Sequence, residues 1–166
     1  METKLTSEDI ILEEIGKENV ELLYDFKNGI EFPKNTISKS SFIQCINDYI
    51  NDAMIKSKSS SKYYGFCNLI DINYVDRFAY IYVFIKAFSK NDYTNAVYKY
   101  IDFLFNLYPL RKIYYEVYSY EINNAICLKE IGFKIEVKYK NYKKDGNKFY
   151  SKYVLGLSRK DFYNNE

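Results

Sequence analysis

The chain has 166 residues, 48% of them hydrophobic and 19% aromatic, with a formal net charge of +2. That is one domain's length, enough to bury a core without disulfide or metal staples. The near-neutral balance argues against a nucleic-acid binder built on a basic stripe. The absence of His excludes Ser-His-Asp and Cys-His nucleophile systems, leaving Glu, Asp, Tyr, Cys, Lys or water as proton carriers. Cys45, Cys67 and Cys127 are odd in number and widely spaced, which fits reduced thiols and no zinc site. Lys, Asn, Ile, Tyr and Phe have AT-rich codons, so the 20 Tyr and 12 Phe reflect genome composition as well as function. The polar start, Met1 to Asp9, is no signal peptide, and no apolar run approaches the roughly 18 residues of a membrane span. A cytoplasmic protein without metal, nucleic-acid or membrane partners is expected.

Ile10 to Ile15 is an apolar run that reads as a first strand, broken by Gly16. Val20, Leu23 and Tyr24 follow helical spacing between Lys17 and Asn28, and Gly29 closes that helix. Phe42, Cys45, Ile46, Tyr49, Ile50 and Ala53 recur at helical intervals, predicting a second helix capped by Ser40 or Ser41. Lys56 to Lys62, KSKSSSK, is a polar hairpin or loop. Tyr63 to Ile72 and Phe78 to Lys86 are strands joined by a turn at Tyr74 to Arg77. The second, containing FAYIYVFI, is apolar on both faces, the mark of a central strand covered on both sides. Thr94 is the expected cap of the next helix, whose stripe is Val97, Ile101, Leu104 and Tyr108, widened by Ala96, Tyr100, Phe103 and Leu107. Pro109 ends it.

Ile113 to Tyr118 is a strand, Asn123 to Glu130 a short helix, and Gly132 its stop. Lys134 to Tyr142 alternates charged and apolar residues. Lys144 to Asn147 is a hairpin turn, and Phe149 to Ser158 is the last strand. The order is β-α-α-β-β-β-α-β-α-β-β, with a weak second strand before Tyr63. It is an α/β (α+β) arrangement in one domain, residues 1–166. Lys62 to Cys67 is similar to an RNA-recognition sheet motif, but the two helices ahead of the main sheet do not fit that fold.

Three stretches carry a resemblance to a known family. Ile113 to Val117, followed by Asn123 to Gly132-Phe133, is similar to the strand, helix and Gly-Phe signature of the GCN5-related N-acetyltransferases. The tail, with Glu136, Asp145-Gly146 and Tyr153 to Arg159, and the start, Ile11 to Asn28, resemble the branch that acetylates ribosomal-protein N-termini. The resemblance covers about residues 10 to 163. It implies a mixed, mostly antiparallel sheet of six to seven strands flanked by about four helices. It implies acetyl-CoA as co-substrate and a primary amine as acceptor (a protein N-terminus, a polyamine or a small molecule). A homodimer is compatible with it.

The resemblance also assigns positions. The coenzyme's pantetheine arm would pair with the main chain near Phe84, Ile85 and Lys86. Its pyrophosphate would meet Ser89, Lys90, Asn91, Tyr93 and Thr94 at a helix N-terminus. The family's two loop glycines are replaced by Ser89 and Asn91, and Asn91 is the residue expected to take a positive φ there. Asp92 would repel phosphate unless it points away, and Lys90 offsets it. Asn123 is the candidate coenzyme-contacting amide. Anchoring on Gly132-Phe133 puts Glu121 at that position instead, and Asn124 where the branch often has Ser. The family's proton-donating Tyr falls on Leu128. That leaves Cys127, with an ordinary thiol pKa of about 8.5, as the nearest donor and Glu116 as candidate base through water. Core packing is the alternative for Cys127, and a solvent-facing or paired charge for Glu116. Tyr80 and Tyr82 are candidates to line the acceptor cleft. The replaced glycines and missing Tyr also motivate a second reading, a catalytically degenerate binding or assembly module of the same fold.

Overall fold

The FAYIYVFI run is at the centre of the molecule because it has no polar face to offer water. The computed structural model describes residues 10–29, 38–44, 51–86 and 90–164. Among these, β1 (Ile10–Glu14), α1 (Val20–Gly29), α2 (Lys39–Gln44), β2 (Ala53–Ser57), β3 (Tyr63–Asn73) and β4 (Phe78–Ile85) precede α3 (Lys90–Leu107). Then come β5 (Lys112–Tyr118), α4 (Ile122–Ile131), β6 (Lys134–Asp145), β7 (Lys148–Ser158) and α5 (Arg159–Asn164). The strands form one sheet in the order β1-β2-β3-β4-β5-β7-β6, so the doubly apolar strand is central, as its composition requires.

Every ladder is antiparallel except β4 with β5. That parallel pair runs only from Phe78↔Lys112 to Ile81↔Tyr115. Beyond it β4 follows β3 and β5 follows β7, and a gap opens between them. The core is continuous across the sheet. On α3 it buries Tyr93, Val97, Tyr100, Ile101 and Leu104, together with Ile81, Ile113 and Leu157 from the strands. Burial of this kind is the main stabilising term, about 25 cal/mol per Å² of apolar area.

The element order matches expectation, including the weak second strand, and Gly132 ends α4 in the left-handed region at φ 109°. Several boundaries do not match. The second helix was expected through Ala53, but Ala53 to Ser57 form β2, paired on both sides with β1 and β3. Two ladders outweigh a local helical spacing. The expected Cys45, Ile46, Tyr49 and Ile50 lie outside the described residues. The cap of α2 is Ser38, whose Oγ accepts the Ser41 N–H at 3.2 Å, rather than Ser40 or Ser41. The third helix begins at Lys90, so Thr94 is no cap; its hydroxyl donates back to the Lys90 carbonyl at 3.0 Å. Phe103 and Leu107 are exposed, leaving the stripe narrower than expected. The C-terminal turn α5 was not anticipated.

Candidate active site

The splay between β4 and β5 follows from ladder arithmetic. In an antiparallel pair, successive residues send their N–H and C=O groups to opposite sides. The Lys86 N–H goes to the Tyr64 carbonyl on β3 at 2.7 Å, and the alternation gives Phe84 the same side. Of the expected segment Phe84 to Lys86, only Ile85 turns its main chain toward the gap, and Val83 joins it.

Val83 does not face an empty gap. The Tyr115 hydroxyl accepts the Val83 N–H at 2.9 Å and donates to the Val83 carbonyl at 3.0 Å. The Tyr93 hydroxyl, from α3, donates to the Tyr115 oxygen at 2.9 Å. A phenol has one proton to give and two lone pairs to fill, so Tyr115 is saturated. Both rings are buried, at 0% and 1% exposure. Burial pushes both phenols well above the ordinary range, so they stay neutral donors. Tyr115 is the feature sequence reasoning missed: Ile113 to Tyr118 reads as a strand, which places the ring on it but is silent on what its hydroxyl meets.

At the mouth of the gap the chain leaves β5 in a short 3-10 turn, Ser119–Glu121. The Glu121 carboxylate accepts the Tyr118 N–H at 3.1 Å. Burial raises its pKa, partly offset by that bond and by Lys143. Its charge in turn helps raise the pKa of Tyr82, after burial. Tyr82 is buried, and Tyr80 stacks on Tyr114 at 5.1 Å between centroids. Glu121 and Tyr82 thus stand beyond the paired stretch, while Tyr80 and Tyr114 lie within it.

The sequence-derived candidates fall into two groups. Lys90, Thr94 and Cys127 come together where α3 meets α4. Lys90 pairs with Glu130, and Cys127 is buried, its thiol pKa raised by burial against a hydrogen bond with Thr94. Asn91 and Asn123 are exposed in the first turns of α3 and α4. Asn91 is helical; among the described residues the non-glycine positive φ angles belong to Ser61, Arg77 and Asn141. The expected left-handed Asn91 is therefore corrected: the helix starts before it and imposes its own backbone. Ser89 lies outside the described residues. Asp92 is buried in that first turn, favourable to the helix dipole. Glu116 stands apart, its carboxylate gripped by the Lys152 ammonium at 2.9 Å to each oxygen. Lys152 is itself buried over the Tyr142 ring at 4.4 Å. Among the described residues no group of His, Cys, Asp and Glu is arranged to hold a metal ion.

No known family's sequence profile matches the chain, and no curated protein matches it by sequence. Solved structures do match. A spermidine N-acetyltransferase from Vibrio cholerae, in complex with CoA and spermine, has a TM-score of 0.82 at 16% identity, over 95% of this chain and 99% of that one. The spermidine/spermine N-acetyltransferase SpeG from Vibrio cholerae, in complex with manganese ions, gives 0.81 at 16% identity, over 96% and 98%. The chain has the fold of the GCN5-related N-acetyltransferases. At this identity the match concerns fold, and function has to be argued from the site.

Proposed function

We propose that this chain is one acetyltransferase domain, residues 1–166, that moves an acetyl group from acetyl-CoA to a primary amine by direct attack. The observation that carries the reading is the parallel β4–β5 pair that parts beyond Ile81 and Tyr115, with the N-terminus of α3 starting at Lys90. A gap with main-chain groups on one wall suits an amide-bearing arm. A helix start bearing Lys90 suits an anion. A matching protein was solved with CoA and spermine, which supports a polyamine or similar cationic amine ahead of a ribosomal-protein N-terminus. Glu121 among tyrosines fits such a cation, and its raised pKa suits proton uptake. Glu116 is engaged by Lys152 at 2.9 Å to each oxygen, which makes it the weaker candidate for base. Cys127 keeps its proton and remains the candidate donor to the departing thiolate. Direct attack needs no activated nucleophile, in keeping with a chain that lacks His. A cytoplasmic location and a homodimer belong to the same reading.

The Tyr115 hydroxyl on Val83 favours a second reading, a closed, non-catalytic module of this fold. One experiment separates them. Acetyl-CoA at millimolar concentration should raise the melting temperature, and thiol release should appear with spermidine, a protein N-terminal peptide or a small amine. Absence of both stabilisation and thiol release refutes the acetyltransferase reading and leaves the closed module.

A further inference from the structure

The chain contains 24 Lys and Arg residues, and only three are arginines: Arg77, Arg111 and Arg159. The fold puts all three in one row. Arg77 immediately precedes β4, Arg111 precedes β5 and Arg159 follows β7. The Arg111 N–H donates to the Arg77 carbonyl at 2.7 Å, and the Arg159 N–H donates to the Arg111 carbonyl at 2.9 Å. The row continues the Phe78↔Lys112↔Ser158 register by one residue, with Arg77 in a left-handed turn at φ 58° and Arg159 opening α5. The three arginines line a cavity of about 800 Å³ whose walls include Phe105, Tyr163 and Lys160.

One arginine is already used. The Arg159 guanidinium donates to the Leu110 carbonyl at 2.7 Å, to the Tyr108 carbonyl at 2.6 Å and to Phe105, capping the end of α3. It lies over the Phe105 ring at 4.9 Å. Arg77 and Arg111 are exposed, and among the described residues neither side chain has an ion-pair or hydrogen-bond partner. No Asp or Glu among the described residues lines the cavity. Like charges gathered around one hollow with no carboxylate among its described lining residues are unfavourable by themselves. They become favourable when an anion sits between the guanidinium forks.

We infer that this cavity is a second ligand site, for a small phosphorylated molecule with an aromatic part. Arg77 and Arg111 hold the phosphoryl group, Lys160 adds charge at the rim, and Phe105 and Tyr163 provide the apolar wall. The hollow is shallow and open to solvent, so a bound molecule would keep one side exposed. It lies at the opposite end of β4 from the splay, about 20 Å away at the rise of an extended strand. The inference does not rest on the acetyltransferase reading.

The probe is AMP, titrated calorimetrically into the full chain with saturating acetyl-CoA present to block any nucleotide subsite in the splay. AMP should bind, and Arg77→Gln with Arg111→Gln should weaken it roughly tenfold or more. Lys138→Gln with Lys140→Gln, which removes the same charge from β6, should leave it unchanged. Inorganic phosphate should bind more weakly than AMP and lose its binding in the same arginine variant. If the double arginine variant fails to fold, Arg111→Gln alone carries the test. The inference is overturned if AMP does not bind, if acetyl-CoA displaces it, or if the lysine pair weakens it as much as the arginine pair.

Discussion

Tyr115→Phe isolates a single oxygen atom at the centre of the splay. The ring keeps its packing against Phe133 and Tyr82, so the hydroxyl alone is lost. Three hydrogen bonds go with it: from Val83 N–H, to Val83 C=O, and from Tyr93. The Val83 N–H and C=O are left buried without that partner. Each costs about 1–3 kcal/mol, so the variant should lose about 2–6 kcal/mol. Urea unfolding should show this as a lower midpoint with an unchanged slope. The same variant should bind acetyl-CoA more tightly, by about tenfold. In the parent an incoming arm has to break the Tyr115 bonds to reach Val83; in the variant that edge is already open. A stability change under about 0.5 kcal/mol, within the range of ordinary surface substitutions, would refute the three-bond arrangement. A fall in coenzyme affinity would show that Tyr115 holds the coenzyme instead of excluding it.

Other outcomes follow from the same geometry. Gly65→Ala places a Cβ 1.8 Å from the Phe84 carbonyl oxygen, so β3 and β4 must part; thermal unfolding should show a loss of about 2–4 kcal/mol. Glu121→Gln should lower kcat/KM by about 10² or more and abolish its acid limb. Burial raises the carboxyl above its ordinary 4.5, so the parent's rate should fall with falling pH at a midpoint above that value, and an unaltered pH profile would exclude Glu121 as base. Glu13 is held below its ordinary 4.5 by Lys56, then by Tyr63. Its contribution to stability is therefore present above pH 4.5 and lost as pH falls through the folded value. Glu13→Gln should flatten the urea midpoint against pH below 4.5, and an equally steep acid loss would show that the pair contributes nothing.

Local periodicity was enough to establish the order of elements. Alternation made β6 a strand, a run with no polar face made β4 central, and Gly132 and Gly146 marked their turns because only glycine enters the left-handed region freely. These signals depend on neighbours a few residues apart. The start of α3, the strand character of Ala53–Ser57 and the α5 turn were decided by partners far along the chain. Glu116 read as a base, a solvent-facing charge or half of an ion pair until the β5–β7 register brought Lys152 to it. The three arginines are 34 and 48 positions apart in sequence and share nothing until three strand ends align. Tyr115 is the sharpest case. Its place on a strand was legible from the run Ile113 to Tyr118, but its hydroxyl meets Val83 across 32 residues. That contact exists only because two parallel strands stay together as far as Ile81 and Tyr115 and then separate, exposing a main-chain edge that a phenol can reach.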